Sequence, residues 1–107
     1  MSQCTFIFKR RGRLMRISYD PEKRENTLAE RGLDFEDAPL VFGGVHLQIE
    51  DDRLDYGEVR WQVVGLLNDE MVMVVWTSRE DARHIISMRK CNDREQRKYV
   101  ARLGRSG

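Results

Sequence analysis

The chain has 107 residues, of which 40% are hydrophobic and 35% are charged, and its formal net charge is +1. This length and composition fit one highly charged globular domain with a modest core, and they exclude a disordered chain. No apolar run approaches the roughly 20 residues of a membrane span, and the early "CTFIF" run is too short for a signal peptide. The two cysteines show no metal-binding spacing, so we expect a reduced, cytoplasmic protein without a metal or cofactor.

The small net charge hides an uneven distribution along the chain. Residues 1–16 hold five basic and no acidic side chains, and residues 17–78 hold five basic and fourteen acidic ones. Residues 79–107 hold nine basic and four acidic side chains. Such segregation favours a polyanion on one surface and a basic partner on another. Attraction between opposite faces of the fold itself is the alternative explanation.

The first fourteen residues have no clear period, and we interpret 1–14 as an N-terminal extension of uncertain structure before a single domain over 15–107. Either residues 4–9 add an edge strand or Met15 is the true start. Next, "MRISY" predicts a strand and "DPEKRENTLAERG" predicts a helix. Asp20 is suited to cap this helix, Pro21 fits its first turn and Gly32 suits its end.

The rest of the chain predicts a short helix, four strands and a last helix. "DFEDAPLVFGG" is the helix, which Pro39 keeps short or kinked. Four strand patterns follow, with "NDE" and "REDA" as turns between the last three. "NDREQRKYVARLG" is the final helix, where Asn92 and Glu95 form a capping box. The predicted fold is α+β: an antiparallel β-meander sheet packed by two N-terminal helices and one C-terminal helix, in the order β-α-α-β-β-β-β-α.

Alternation along the strands predicts which side chains share a face of the sheet. If Trp61, Val63, Ile86 and Met88 face the helices, the other face is basic and hydrogen-bonding. That predicted face carries five side chains: Arg60, Gln62, Arg83, Ser87 and Arg89. Arginine binds phosphate oxygens in pairs, so this face suits a phosphate-bearing ligand. An ordinary solvated face of an antiparallel sheet is the alternative.

The order of several short motifs resembles the BrnT-type toxins of bacterial toxin–antitoxin pairs over about residues 16–100. The motifs are "YDPEKRENTLAERGLDFEDAPLVF", "GEVRWQVVG", "RHIISMRK" and "REQRKY". The positions that match the family pattern are Asp20, Lys23, Gly32, Phe35, Glu36, Phe42, Arg60, Trp61, Gly65, Ile85, Ile86, Ser87, Arg89, Lys90, Glu95 and Tyr99. The chain departs from the pattern where Glu30 and Arg31 replace Lys-His and where His84 replaces an arginine.

The resemblance implies a RelE-like fold and a cytoplasmic ribonuclease toxin that blocks translation. It also implies neutralisation by a BrnA-like antitoxin with a ribbon-helix-helix domain, and contact with operator DNA only through the toxin–antitoxin complex. The implied substrate is RNA, and no membrane is involved.

RNA cleavage without a metal uses the neighbouring 2′-hydroxyl as nucleophile, so the protein must move protons and neutralise charge on the phosphorane. The cationic Arg60, Arg89 and Lys90 suit charge neutralisation. His84 suits general acid or base work if it reaches the site, but its parity with Ile86 and Met88 favours packing near the core. Lys23 opposes the dipole at its helix start, which slightly favours a catalytic role, although a solvated lysine is the default interpretation.

The remaining site candidates bind RNA in this hypothesis: Arg83, Ser87, Gln62 and, through its hydroxyl, Tyr99. Tyr99 also fits a packing role, Glu95 is explained by the capping box, and Trp61 and Trp76 are expected in the core. Two other functions stay open on the sequence. One is a non-catalytic nucleic-acid-binding module, and the other is a scaffold that matters mainly through its antitoxin.

Overall fold

Strands and helices follow the hydrophobic pattern of the chain in the computed structural model, which describes residues 4–10, 13–52 and 57–105. In chain order they are β1 Cys4–Arg10, β2 Arg13–Tyr19, α1 Pro21–Arg31, a 3₁₀ turn Phe35–Asp37, α2 Ala38–Gly43, β3 His46–Glu50, β4 Arg60–Leu67, β5 Glu70–Arg79, β6 Ala82–Lys90 and α3 Asp93–Arg105. The predicted α+β class is confirmed, and the predicted order is matched from β2 onward. The strand β1 precedes it, within the segment that was predicted as an extension.

The described strands form a six-stranded sheet in the order β1-β2-β6-β5-β4-β3. The pairs from β3 to β6 are antiparallel, as the meander predicted, but β2 and β6 are parallel, with Ile17 opposite Arg83 and Tyr19 opposite Ile85. The prediction of a purely antiparallel sheet is therefore wrong. After β2 the chain passes through α1 and α2 to the far edge of the sheet. The meander then runs back across the sheet, and its last strand, β6, lies beside β2 and parallel to it.

Local capping signals fix the helix ends. The Asp20 carboxylate accepts a hydrogen bond of 3.0 Å from the Glu22 backbone N–H, and Gly32 ends α1 in the left-handed region at φ 69°. The predicted second helix is divided in the structure. Asp34 caps the short 3₁₀ turn, and Pro39 lies in the first turn of the separate helix α2. The predicted kink thus takes the form of a break.

Two tight turns join the central strands. Asn68 and Asp69 join β4 to β5 with φ of 52° and 66°, and Glu80 and Asp81 join β5 to β6 with φ of 51° and 66°. Two consecutive residues with positive φ are typical of the type I′ turn, whose twist matches that of an antiparallel pair. Both turns were predicted from the sequence, and they fix the register of β4, β5 and β6.

The sheet has a hydrophobic cluster on each face. On the face packed by α2, which we call the α2 face, sheet residues such as Val63, Val74 and Ile85 contact Phe35, Val41 and Phe42. On the opposite face, called the α3 face, Val64 and Met73 contact Tyr99 and Leu103 of α3. The core is consequently divided by the sheet, and α3 covers only the end of its face near Val64 and Met73.

A β-bulge changes the side-chain alternation in β6. Val75 pairs with Ser87, but the next residue, Trp76, pairs with Ile85, so Ile86 is an extra residue without a direct partner. Arg83 therefore shares the α2 face with Ile85, while Ser87 shares the α3 face. The predicted parity of Arg83 is wrong for this reason.

Candidate nucleic-acid interface

Two rows of side chains cross the α3 face beyond the residues that cluster with α3. In one row Arg60 of β4 lies opposite Thr77 of β5, which lies opposite His84 of β6. In the next row Gln62 and Ser87 flank Val75 in the same way. Because neighbouring strands lie about 4.8 Å apart, roughly 10 Å separates the backbones at the two ends of each row. Polar and cationic groups thus border a narrow strip of sheet.

His84 is the buried member of this strip, with 7% of its surface exposed. Its Nδ1 and the Ser18 hydroxyl oxygen are 2.9 Å apart in a buried hydrogen bond, which joins β6 to β2. Burial lowers the pKa of His84, and the positive charges of Arg79 and Lys23 lower it further. The imidazole is consequently neutral at pH 7, with Nδ1 fixed by Ser18.

Lys23 projects from the first turn of α1 toward the same strip. Desolvation lowers the pKa of its ammonium, opposed by Asp20, and the nearby guanidinium groups of Arg60 and Arg31 lower it as well. Among residues 16–52 and 57–103, whose side chains are described, Lys23 forms no hydrogen bond or ion pair. Three cations therefore share this part of the surface, and an anion bound between them would relieve their repulsion.

Arg31 holds α1 against the free part of β6. Its Nη1 donates a hydrogen bond of 2.9 Å to the backbone carbonyl of Met88, beyond the three β6 residues that pair with β2. In the sequence, Arg31 stands where the family pattern has a histidine, whose role is either absent or taken by Arg31, but it was not among the predicted site residues. The structure brings it to Lys23, a proximity that depends on how α1 docks.

Arg60 lies on the predicted face and is already paired with a carboxylate. Its Nε is 3.1 Å from Glu58 Oε2, and the other oxygen of Glu58 is 3.5 Å from Arg79. Glu58 thus links two arginines at the border of the strip. Pairing of Arg60 with nearby Glu58 belongs to the alternative of an ordinary solvated face, whereas Arg79 was not predicted, since its contact with Glu58 depends on the register between β4 and β5.

Arg89 lies on the α3 face but away from Arg60. It forms two hydrogen bonds to Glu95, of 2.8 and 2.7 Å, at the start of α3. Arg89 pairs across the sheet with Met73 and Val64, four residues beyond Arg60 on β4. The two arginines are therefore about 13 Å apart along the strands and roughly 10 Å apart across them. The predicted convergence of Arg60 and Arg89 on one phosphate is not found.

The other predicted site residues lie elsewhere. Lys90 is on the α2 face, where its Nζ is 3.1 Å from Glu70, and Arg83 is on that face as well. Tyr99, on α3, is buried between that helix and the sheet, with the Lys98 ammonium 5.2 Å from its ring centroid. The structure therefore brings together Lys23, Arg60, Gln62, His84 and Ser87, which we call the α3-face patch. Ser18 was missed, because only the parallel pairing brings it to His84.

Within the described ranges, no three His, Cys, Asp or Glu side chains are grouped as metal ligands. The helices in the same ranges are too short or too polar to cross a membrane.

The chain is thus a small α+β protein with cations grouped near a buried, neutral histidine on its sheet. Comparison with protein families places this α+β protein in a particular family. The chain belongs to the BrnT family, because residues 19–95 match the family described as "Ribonuclease toxin, BrnT, of type II toxin-antitoxin system". The matched range contains every member of the α3-face patch, and the resemblance stated from the motifs is confirmed. No curated protein matches the chain.

Proposed function

We propose that the α3-face patch cleaves RNA without a metal ion, and that this cleavage blocks translation until a BrnA-like antitoxin binds the toxin. The family supports a ribonuclease and an antitoxin partner in general terms. The observation that carries the specific proposal is Lys23, a cation with no described partner that lies near Arg60 and Arg31. A phosphodiester is the anion that an RNA strand supplies to such a group.

Phosphate binding is assigned to Lys23, Arg31 and Arg60. Their charges would stabilise the extra negative charge that the phosphorane carries in the transition state, which is commonly the largest contribution to such catalysis. In the free protein, Glu58 orients the guanidinium group of Arg60. Gln62 and Ser87, in the adjacent row, are suited to hydrogen-bond the ribose or base.

Proton transfer is assigned to His84. With Nδ1 held by Ser18, the imidazole has Nε2 as its remaining nitrogen for a substrate proton. In the proposed step, the 2′-hydroxyl loses its proton to this base and attacks phosphorus. The bond to the 5′-oxygen breaks, which leaves a 2′,3′-cyclic phosphate and a 5′-hydroxyl after protonation. His84 neutral at pH 7 is in the state that a base requires.

A non-catalytic RNA-binding module is the second candidate function. It is favoured by the ion pairs of Arg60 with Glu58 and of Arg89 with Glu95, which reduce the free positive charge available to a transition state. In this alternative the α3-face patch holds RNA, and the replacement of the family's arginine by His84 accompanies a loss of cleavage.

A cleavage assay with purified protein and a defined RNA oligonucleotide in EDTA distinguishes the two functions. We expect cleavage with 2′,3′-cyclic phosphate ends, a loss of at least about 100-fold in Lys23→Met and His84→Gln, and normal cleavage in Arg94→Met. Arg94 is an exposed α3 cation and serves as the matched control. Binding without cleavage by the wild-type protein would establish the non-catalytic module instead. Equal losses in Arg94→Met and Lys23→Met would mean that the site lies elsewhere.

Effects on translation are tested in cells. Expression of the chain alone should arrest growth and protein synthesis, and co-expression of the cognate antitoxin should restore both. Lys23→Met should remove the arrest while the protein accumulates to wild-type levels. An arrest that persists in Lys23→Met would separate toxicity from the α3-face patch.

A further inference from the structure

Arg83 lies between two aromatic rings on the α2 face. Its guanidinium carbon is 4.7 Å from the ring centroid of Phe42 and 4.9 Å from that of Trp76. Both distances are within the range of a cation–π interaction, which holds the planar group against the ring faces. The bulge in β6 is what turns Arg83 toward these rings. The guanidinium is consequently fixed in position before any partner arrives.

No carboxylate in the described side chains accompanies this cation. Across residues 16–52 and 57–103, Arg83 forms no hydrogen bond or ion pair, and burial lowers its pKa. A guanidinium carries five N–H donors at its edge, and stacking on aromatic rings uses none of them. A partly desolvated cation with free donors is stabilised by an acceptor that brings negative charge.

Two further apolar side chains lie at the same end of the sheet as Arg83. Trp61 is only partly buried and lies 6.5 Å from Trp76 between ring centroids, and Val59, just before β4, is 53% exposed. Arginine and tryptophan among apolar groups are typical of the residues that contribute most binding energy in protein–protein interfaces. A phosphate backbone, in contrast, is bound by several neighbouring cations. The group of neighbouring cations in this protein lies around Lys23.

We propose that Arg83, held on the buried rings of Phe42 and Trp76, forms with Trp61 and Val59 an antitoxin-binding surface, the Arg83 surface, on which Arg83 takes a carboxylate side chain flanked by apolar residues of the antitoxin. The existence of an antitoxin follows from family membership. The inference does not depend on RNA cleavage by the α3-face patch, which lies on the other side of the sheet.

The test measures affinity for the purified cognate antitoxin by titration calorimetry. Arg83→Met should weaken binding at least about tenfold, because it removes the charge and leaves the partner's carboxylate unpaired. Arg83→Lys should weaken it less, since the charge stays and the planar fork is lost. Arg94→Met, the exposed α3 control, should bind as the wild type does. RNA affinity, measured with a 2′-deoxy oligonucleotide, should be unchanged in all three.

Antitoxin affinity equal to the wild type in a folded Arg83→Met variant would overturn the proposal. A loss of RNA affinity in that variant, with antitoxin affinity intact, would assign the surface to RNA and also overturn it. If Arg83→Met does not fold, Arg83→Glu co-expressed with antitoxins in which single acidic residues are changed to lysine gives the answer. Restoration of the complex by one such change supports the pairing, and restoration by none rejects it.

Discussion

Arg89 and Glu95 are joined by two hydrogen bonds, of 2.8 and 2.7 Å, that connect the end of β6 to the first turn of α3. The same carboxylate accepts the Asn92 backbone N–H at 3.0 Å, and the Asn92 side chain accepts the Glu95 N–H at 2.8 Å. The predicted capping box is confirmed, and Arg89 is held by it. An arginine expected to bind phosphate thus has a structural role in the free protein.

The first prediction concerns the stability that this ion pair provides. Arg89 lowers the pKa of Glu95 from 4.5 to about 2, so the stabilisation is complete above pH 4.5 and is lost as the pH falls toward 2. Because the Arg89 side chain is 38% exposed, solvent screens the pair, and Glu95→Gln should cost about 1 kcal/mol of unfolding free energy at pH 7.

Urea unfolding at pH 7 and near pH 2 measures this effect. Glutamine can keep the capping geometry, so the substitution isolates the charge. Glu25→Gln, which changes an exposed acid of α1, is the control and should differ little from the wild type at either pH. A Glu95→Gln deficit that is the same at both pH values would contradict the role of the ion pair.

The second prediction concerns His84 and pH. Its folded pKa is below the ordinary value of 6.5, so protons bind the unfolded chain more readily, and stability falls as the pH drops below 6.5. The slope from this one group is at most about 1.4 kcal/mol per pH unit. His84→Gln should show a shallower decline in unfolding free energy between pH 7 and pH 5. His46→Gln is the histidine control, and identical slopes in wild type and His84→Gln would refute the assignment.

The third prediction concerns the salt dependence of RNA binding. Each phosphate contact on a single strand contributes about 0.7 to the slope of log affinity against log salt concentration. Lys23→Met should reduce that slope by about this amount for a 2′-deoxy oligonucleotide, whereas Arg94→Met should leave it unchanged. Fluorescence anisotropy over a range of salt concentrations gives the slopes. Parallel lines for Lys23→Met and wild type would exclude a phosphate contact at Lys23.

The fourth prediction concerns the close approach of α2 to β4. A Cβ added at Gly65 would lie 2.8 Å from Val41 Cγ1, 3.2 Å from His46 Cβ and 3.3 Å from the Val45 carbonyl oxygen. Gly65→Ala should therefore cost about 1–3 kcal/mol of unfolding free energy. Thermal unfolding measures the loss.

Gly44→Ala is the matched control, since its new Cβ would be 3.6 Å from the nearest atom, the Leu40 carbonyl oxygen. Adding Val41→Ala to Gly65→Ala should cost less than the sum of the two single changes, because the larger clash is removed. Strict additivity would show that the clash with Val41 does not determine the cost.

Local signals in the sequence were sufficient for the helix ends and turns. Asp20, Gly32 and the pair Asn92–Glu95 act through backbone groups within four residues of themselves, so their roles follow from the adjacent sequence. Pro39 predicted an interruption, but its form as two separate elements depended on packing against the sheet.

The site was only partly predictable, because its geometry depends on distant strands. The bulge at Ile86 arises where β6 pairs with Val75 and Trp76 of β5, and no feature of the β6 sequence predicts it. Strict alternation therefore assigned Arg83 and His84 to the wrong faces, although His84 is buried, as its expected packing near the core implied. Lys23 was identified by its unfavourable place at a helix start, a local signal, and that prediction remains to be tested.

The hydrogen bond between Ser18 and His84 closes a separation of 66 residues. During synthesis, β2 emerges early, whereas β6, its parallel neighbour, is complete only after nearly the whole chain has been translated. A partly translated polypeptide consequently cannot complete the sheet or seat its histidine. In a cell that makes this protein, the α3-face patch is thus assembled only after the β6 segment has left the ribosome.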